Sequence, residues 1–473
     1  MPYIILGICV AFLCFLVIRT YLFKPKKMSY QKVSHEIDEK RSFESLSQLI
    51  QCQTISYEDT SRISEDAFQG LRDLIFERYP EIIKHSSFSM HEKGMLFKIK
   101  GTDDLDPVIL MSHYDVVPVT DDWDDDPFSG KITETHVYGR GALDTKHSLN
   151  AILESVEMML KQGHTFKHDL YLSFGGDEET YGTSQIAIVE HLKKEAVTPY
   201  FVLDEGGAIV SDIFPGVKEK TAVIGIAEKG FLNIKLSAKS QGGHASTPPQ
   251  DTPLTMLSDA VHKLNRHALP LKLTKPVRLL FESVAPYSKS KVIRFLFANI
   301  FLFLPLIKLI AKLSGGQFKA LFQTSQAFTM MKGSDAINVL PSEASISINY
   351  RMIPGETSDD IIARIKHIIK DDRIDVSIHE VTEASTVSLV DDRYNIVEKA
   401  IHQTWPDVIV APYLMIATSD SRRYHQISSH VYKFSPMDVS DDDLAKIHGI
   451  NEDISKENVI QGINFYLNLL STL

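Results

Sequence analysis

The residues best suited to chemistry are histidines and carboxylates that follow apolar runs of the chain. His113 and Asp115 come directly after the apolar run 108–111, so both side chains can point into one crevice. Taken alone, this pair is as well explained by a hydrogen-bonded loop. Other such residues occupy equivalent places further along, namely Asp144, Glu178, Glu179, Asp204, Glu205 and His448. Together they indicate one site rather than scattered pairs.

A group of carboxylates with two histidines is suited to binding a pair of divalent metal ions. Like charges in a confined space must either take up protons or share a cation, and imidazole and carboxylate groups are ligands for zinc. Two metals can activate a water molecule and polarise a carbonyl, which makes hydrolysis the expected reaction. The adjacent Glu178 and Glu179 point in different directions, so one can ligate while the other serves as a base. Asp115 is well placed to orient His113.

Strands that alternate with helices must position these side chains. Buried strands are expected at 108–111, 169–174 and 200–203, with helices at 145–162 and 184–194. This alternation predicts the α/β class with a mostly parallel sheet. Ligands of such sheets bind at the carboxyl ends of the strands, and the candidate residues all fall at that edge.

A second folded unit interrupts this pattern. Between residues 232 and 384 the order becomes strand, helix, strand, strand, helix, strand, which predicts an inserted α+β (ferredoxin-like) domain. The first pattern then returns, so we expect a catalytic domain in two parts, 28–231 and 385–473, behind an N-terminal segment 1–27. The apolar stretch from Phe295 to Leu309 within the insert has two open interpretations. It is either a packed helical hairpin or an exposed patch for a lipid-like substrate or the membrane surface.

The composition excludes several classes of partner and of metal site. The chain of 473 residues has a net charge of −11 and no lysine- or arginine-rich block in its body, which argues against a nucleic-acid partner. Of the three cysteines, Cys9 and Cys14 lie in the N-terminal apolar segment. Only Cys52 remains for the body, so neither an internal disulfide nor a thiolate metal cluster can form there.

The N-terminal segment is expected to be a single-pass membrane anchor. Tyr3 to Ile18 is an almost unbroken apolar run, close to the length that spans a bilayer. No basic residue precedes it and no clear cleavage site follows, which favours an uncleaved anchor over a signal peptide. A buried helix is the third interpretation. The side of the membrane that holds the body is open, although a cytoplasmic body is favoured by the basic residues that follow the run, Arg19, Lys24, Lys26 and Lys27.

An ordered series of motifs resembles the M20 family of metallopeptidases. The series comprises His113-Tyr114-Asp115-Val116-Val117-Pro118, Tyr138-Gly139-Arg140-Gly141-Ala142-x-Asp144-x-Lys146, Gly176-Asp177-Glu178-Glu179, Leu203-Asp204-Glu205-Gly206 and Gly243-His244-Ala245-Ser246. The resemblance runs from about residue 42 to the end of the chain. It is strongest to the branch that contains carboxypeptidase S and the N-acyl-amino-acid hydrolases. The sequence departs from the family at Ser112, where glycine is usual.

The resemblance implies a role for each matched residue. Glu178 would be the general acid and base, and Asp115 would support the metal site. In the pair Asp204-Glu205 either carboxylate could ligate, and we expect Asp204 to do so. Asp144 would bridge two zinc ions per subunit, and the full set of implied ligands is His113, Asp144, Glu179, Asp204 and His448.

The inserted domain would bind the substrate and, as in the family, could form a homodimer. His244 would polarise the substrate carbonyl, in its own or a neighbouring subunit's site. Asn338 and Arg351 would bind the substrate's carbonyl and terminal carboxylate, which the planar fork of arginine suits. The predicted function is hydrolysis of the amide bond next to a free α-carboxylate, in a peptide C-terminus or an N-acyl amino acid. The alternatives are an aminopeptidase or deacetylase of the same family, and a non-catalytic metal-binding scaffold.

Overall fold

A computed structural model describes residues 2–25, 30–119, 122–180, 182–214 and 216–473. Lys26 and Lys27, which follow the N-terminal apolar run, lie outside the described residues, as does the expected boundary between residues 27 and 28.

The strands, in chain order, are β1 Ser86–His91, β2 Gly94–Ile99, β3 Val108–His113, β4 His136–Tyr138, β5 Leu170–Gly175, β6 Phe201–Asp204, β7 Ile209–Val210, β8 Thr221–Glu228, β9 Gly230–Lys239, β10 Gly243–His244, β11 Ser325–Lys332, β12 Val339–Leu340, β13 Glu343–Met352, β14 Ile374–Thr382, β15 Ile409–Met415, β16 Val431–Lys433 and β17 Asp453–Ser455.

The α-helices are α1 Pro2–Leu22, α2 Glu39–Gln51, α3 Glu65–Arg78, α4 Pro80–His85, α5 Lys146–Lys161, α6 Thr183–Lys194, α7 Pro253–Arg266, α8 Lys275–Val284, α9 Lys291–Ala298, α10 Ile300–Ser314, α11 Gly316–Phe322, α12 Ser358–Ile369, α13 Asp392–Thr404, α14 Asp441–Lys446 and α15 Lys456–Leu470. Short 3-10 helices occur at Thr60–Arg62, Ala285–Tyr287 and Asp420–Gln426.

The large sheet has the strand order β1-β2-β5-β3-β6-β16-β8-β15, with β7 paired to β8. Its central strands β5, β3, β6 and β16 run parallel, whereas β1, β2 and the pairing of β16 with β8 are antiparallel. The predicted α/β class is therefore confirmed, with a mixed sheet whose centre is parallel.

Strand β3 shows why its residues form the middle of this sheet. All six of its residues are buried. Val108 and Leu110 face one hydrophobic cluster with Phe174 and Ile152 of α5, while Ile109 and Met111 face a second cluster on the other side. A strand covered on both faces reads as a continuous apolar run, and this run carries His113 to the carboxyl edge.

The smaller sheet has the order β11-β13-β9-β14, with every pairing antiparallel. Helices α7 and α12 cover one face, and Leu257 and Ile365 meet Ile346 and Ile348 of β13 in its core. Because side chains alternate along a strand, Arg351 lies on the opposite face of β13, half-buried. Beside this sheet, β10 and β12 form a two-stranded ribbon.

The segment between α7 and β11 packs differently from the rest of the insert. Phe281 of α8, Ile307 of α10 and Phe322 of α11 share a hydrophobic cluster with Val223 and Ile409 of the large sheet. The domain boundaries expected at 231/232 and 384/385 stay a prediction, because this packing joins part of the insert to the large sheet.

Helix α1 is the one helix of the described residues that is long and apolar enough to cross a membrane. It is almost entirely exposed, and Leu16 is its one buried residue among Tyr3–Leu22. Helices α9 and α10 form a bent pair whose directions differ by 116°. This hairpin is packed on one side and exposed on the other. The interpretation of the exposed face as a patch for lipid or the membrane surface stays a prediction.

Candidate metal centre and active site

The carboxyl edge of the parallel strands brings the predicted residues together. His113 ends β3, Glu178 and Glu179 follow β5, and Asp204 ends β6 directly before Glu205. Because β5, β3 and β6 are adjacent and parallel, their carboxyl ends share one edge. Loops before α5 and after α14 add Asp144 and His448.

Asp144 lies between the two imidazoles. Its Oδ1 is 3.1 Å from His113 Nε2 and its Oδ2 is 3.0 Å from His448 Nε2. On one side, Glu205 Oε1 lies 3.4 Å from His113 Nε2. On the other, Glu179 Oε2 lies 3.3 Å from His448 Nε2. The site therefore consists of two half-sites that share one carboxylate.

The electrostatics of the cluster fit a divalent cation. Burial raises the pKa of Glu205 to about 7 and raises the pKa values of Glu178 and Glu179 as well. Hydrogen bonds to Asp144 and Glu179 raise the pKa of His448 to about 10. The carboxyl groups of the cluster therefore tend to keep their protons, and so do the imidazoles beside them. This pattern is expected where several carboxylates are buried together without a cation to balance their charge.

The donor atoms also have suitable geometry. One ligand atom each from His113, Asp144 and Glu179 lies within 4.8 Å of the others, and the same holds for His113, Glu178 and Glu205. Glu179 Oε1 is buried and has no hydrogen-bond partner among the described residues, so it is available to ligate. Imidazole nitrogens and carboxylate oxygens are a donor set that zinc accepts. These residues therefore fit the metal that the sequence motifs imply.

Asp115 is fully buried beneath the cluster. Its Oδ1 accepts a hydrogen bond from the backbone N–H of Glu178 and its Oδ2 accepts one from Glu179, both at 3.1 Å. The hydroxyl of Ser56 donates to Oδ2 at 2.6 Å. Asp115 Oδ1 also lies 3.5 Å from His113 Nδ1. One carboxylate thus positions both the histidine and the loop with the two glutamates.

The choice between Asp204 and Glu205 differs from the sequence expectation. Asp204 points to the other side of the strand end, where its Oδ2 accepts a hydrogen bond from the backbone N–H of Ser421 at 3.2 Å. Glu205 is the residue that reaches His113. The physical reason is strand alternation, since successive side chains leave β6 in opposite directions.

Glu452 is a structurally important residue that the sequence reasoning missed. It is fully buried, and its Oε2 accepts hydrogen bonds from Arg140 Nη1 at 2.9 Å and from the backbone N–H of Gly141 at 3.1 Å. Its Oε1 accepts from the backbone N–H groups of Leu143 at 2.7 Å and Asp144 at 3.1 Å. Glu452 therefore holds the loop that presents the shared carboxylate. In the sequence, the only indication of a role for Glu452 near the site was its position four residues after His448.

Arg351 of the insert lies close to a cation of the catalytic part. Burial lowers its pKa and the nearby Arg422 lowers it further. Among the residues that the structure describes, Arg351 forms no salt bridge with a carboxylate, and its guanidinium stacks 5.7 Å from the ring centre of Phe231. Arg422 is paired with Glu228, its Nε 3.8 Å from Glu228 Oε2, whereas the half-buried Arg351 can bind an anion from outside the chain.

The other two predicted substrate residues lie on the ribbon of the insert. His244 is exposed, and its Nδ1 lies 2.7 Å from the hydroxyl of Ser246. The backbone carbonyl of Asn338 accepts a hydrogen bond from Ala245 N–H at 3.0 Å, while the Asn338 side chain is exposed. The structure thus groups the predicted base with the predicted ligands His113, Asp144, Glu179 and His448, and leaves Asp204, His244 and Asn338 outside that group.

Comparison with known proteins agrees with the family that the sequence motifs resemble. A model described as peptidase family M20/M25/M40 matches residues 109–472. A Dictyostelium discoideum protein named "Probable carboxypeptidase S-like 2" is 35% identical, over 99% of this chain and 93% of its own length. The human "N-fatty-acyl-amino acid synthase/hydrolase PM20D1" is 31% identical, over 90% of this chain and 86% of its own.

The solved structures share the fold at low identity. An M20 family metallo-carboxypeptidase from Sulfolobus solfataricus superposes with a TM-score of 0.67 at 15% identity, covering 91% of this chain and 98% of that one.

Proposed function

Because the chain belongs to peptidase family M20/M25/M40 and is an amide hydrolase, we propose that it is a two-zinc enzyme. It cleaves the amide bond next to a free α-carboxylate, in a peptide C-terminus or an N-acyl amino acid. One observation carries the proposal: Asp144 lies 3.1 and 3.0 Å from the imidazoles of His113 and His448, as a carboxylate shared by two metals must.

The metal ligands divide into two sets. His113 and Glu205 would hold one zinc, His448 and Glu179 would hold the other, and Asp144 would serve both, in agreement with the contacts between these side chains. Glu205 takes the place of the expected Asp204. When bound, the zinc pair supplies polarisation of the scissile carbonyl and acidification of a water molecule.

Glu178 moves the protons of the reaction. It takes a proton from the attacking water and later delivers it to the leaving nitrogen, which is general base and then general acid catalysis. Burial raises the pKa of its carboxyl group well above the ordinary range, which makes the carboxylate a stronger proton acceptor. Asp115 fixes the backbone of Glu178 and keeps the carboxyl group oriented.

The insert recognises the substrate. Arg351 binds the terminal carboxylate, and Arg422 of the catalytic part adds a second positive charge beside it. His244 and Asn338 bind the substrate carbonyl, and their exposed positions on the ribbon are compatible with a site completed by a second subunit.

Helix α1 anchors the enzyme in a membrane. The Arg19 guanidinium donates to the carbonyl of Ala298 at 3.0 Å, and the Asn299 amide donates to Thr20 Oγ1 at 3.1 Å. Specific polar contacts with the body favour a helix that stays in the mature protein over a cleaved signal peptide.

A matched pair of substrates tests the carboxylate preference. An N-acyl amino acid and its C-terminal amide differ only in the charge that Arg351 is expected to bind. We expect the wild type to prefer the acid, and Arg351→Met to lose about 100-fold in kcat/KM on the acid alone, since hydrogen bonds to a charged group contribute about 1.5–3 kcal/mol.

Arg364→Met is the control for removal of a positive charge from the insert, because Arg364 lies half-buried on α12 and hydrogen-bonds to the backbone carbonyls of His267 and Ala268. It should leave both rates unchanged. Equal rates of the wild type on the acid and the amide would favour the aminopeptidase or deacetylase alternative. Absence of hydrolysis by the zinc-loaded wild type on every substrate would favour the scaffold.

A further inference from the structure

The outer face of helix α10 is apolar and exposed. Leu302, Leu306, Leu309 and Leu313 are 41%, 42%, 50% and 77% exposed. They recur at spacings of four and three residues, so they lie along one side of the helix. Large apolar stripes of this kind on a folded surface mark an interaction site.

The opposite face of α10 explains why this stripe cannot turn inward. Ile307 and Ala311 are buried in the cluster that joins the segment to the large sheet. Since these two residues fix the rotation of the helix, the leucine stripe must face away from the body.

The charge of the segment favours an anionic partner. Residues 291–322 contain no aspartate or glutamate in a chain of net charge −11, and their charged residues are Lys291, Arg294, Lys308, Lys312 and Lys319. A basic amphipathic helix beside an apolar stripe is the pattern of helices that lie in the plane of a membrane with anionic lipids.

The contact with α1 sets the depth of the hairpin. Asn299, at the bend between α9 and α10, is fully buried and its amide also donates to the carbonyl of Leu16 at 3.3 Å. Leu16 precedes the last residue of α1, Leu22, by six positions, which corresponds to about 9 Å along a helix. Interfacial helices bury their apolar faces about 5–10 Å into the boundary between headgroups and acyl chains.

We propose that the leucine stripe of α10 is immersed in the lipid leaflet next to the catalytic body, so that the enzyme contacts the membrane through this hairpin as well as through α1. A bilayer with anionic lipids accounts together for the exposed leucines, the basic residues without any acidic ones, and the depth set by Asn299. The α1 anchor is a separate part of the proposed function, and the test below distinguishes the two.

Single tryptophans report the position of each element in the full-length protein. The variants Leu309→Trp and Leu313→Trp test the stripe, Leu13→Trp tests α1, and Ile132→Trp is the matched control at an exposed apolar position elsewhere on the body. Each is reconstituted into vesicles of phosphatidylcholine and phosphatidylserine, with or without bromine on the acyl chains. Wild-type protein, which has two tryptophans, gives the baseline.

We expect the added fluorescence of Leu309→Trp and Leu313→Trp to fall by at least about half in brominated vesicles, because bromine quenches at the depth of an interfacial helix. Ile132→Trp should be unchanged. Quenching of Leu13→Trp without quenching of either stripe variant overturns the inference but keeps the α1 anchor. Quenching of the stripe variants alone supports the inference and refutes the anchor.

Two further outcomes identify another occupant. Unquenched but blue-shifted emission from the stripe variants would assign the stripe to a protein contact, such as a second copy of the chain. Unquenched emission at the wavelength of a solvated indole would mean that water covers the stripe. Either result overturns the inference.

Discussion

Replacement of Glu452 by glutamine tests how the shared carboxylate is held. The substitution keeps the shape of the side chain and turns one acceptor oxygen into a donor. Four donors now converge on Glu452, the guanidinium of Arg140 and the backbone N–H groups of Gly141, Leu143 and Asp144. A glutamine oxygen can serve two of them, and its NH₂ group must face the other two.

The cost follows from these contacts. An orphaned buried N–H costs about 1–3 kcal/mol, and a buried ion pair that loses one partner costs about 3–5 kcal/mol. Arg140 keeps a second hydrogen bond to the carbonyl of Gly449 at 2.8 Å, which reduces its share. We therefore expect Glu452→Gln to lower the free energy of unfolding by about 4 kcal/mol.

The loop displacement must also reach the metal site. We expect the glutamine oxygen to face the charged Arg140 and its neighbour Gly141, so that the NH₂ group opposes the N–H groups of Leu143 and Asp144. Loss of groups that orient ligands typically weakens metal binding about 10–100-fold. Urea unfolding of the metal-free protein measures the first effect, and competition with a zinc chelator measures the second.

Glu154→Gln is the matched control. Glu154 is also a buried glutamate paired with an arginine, with its Oε2 2.9 Å from Arg41 Nε, and it lies on α5 outside the metal cluster. It should cost stability and leave zinc affinity unchanged. If Glu452→Gln keeps zinc affinity within about threefold of the wild type, the positioning role assigned to Glu452 is wrong.

Four further variants test the site and the pH dependence of stability. Glu178→Gln should lower kcat by about 10²–10⁴-fold with zinc content retained, and full activity would remove its role as base. Glu205→Gln should lower the bound zinc measured by atomic absorption whereas Asp204→Asn keeps it, and the reverse order would restore the sequence expectation. Burial lowers the pKa of His147 from 6.5 to about 4. Between about pH 6.5 and about pH 4 the unfolded chain therefore carries a proton on this imidazole that the folded protein does not. The free energy of unfolding decreases by up to about 3 kcal/mol as the pH is lowered through this range. His147→Gln should lose correspondingly less stability than the wild type between about pH 8 and about pH 5 in urea unfolding of metal-free protein; parallel losses would contradict the assignment.

The sequence was sufficient for the class of fold, the family and the sheet edge at which most of the candidate residues gather. His113 and Glu178 each follow an apolar run long enough for a buried strand, and parallel strands must present their carboxyl ends together. Motif order then identified the M20 resemblance, which the family match over residues 109–472 confirms. The apolar length of α1 was equally visible, because it depends only on consecutive residues.

Tertiary structure decided everything that depends on direction and on distant partners. Whether Asp204 or Glu205 faces His113 depends on where β6 ends, and hydrogen bonds to neighbouring strands fix that residue. Glu452 looks like any surface glutamate in the sequence until the fold buries it against Arg140. The hairpin of α9 and α10 is mostly apolar in sequence, and only its packing against the large sheet separates a buried face from an exposed one. Local pattern encodes periodicity and composition, whereas orientation is a property of contacts between residues far apart in the chain.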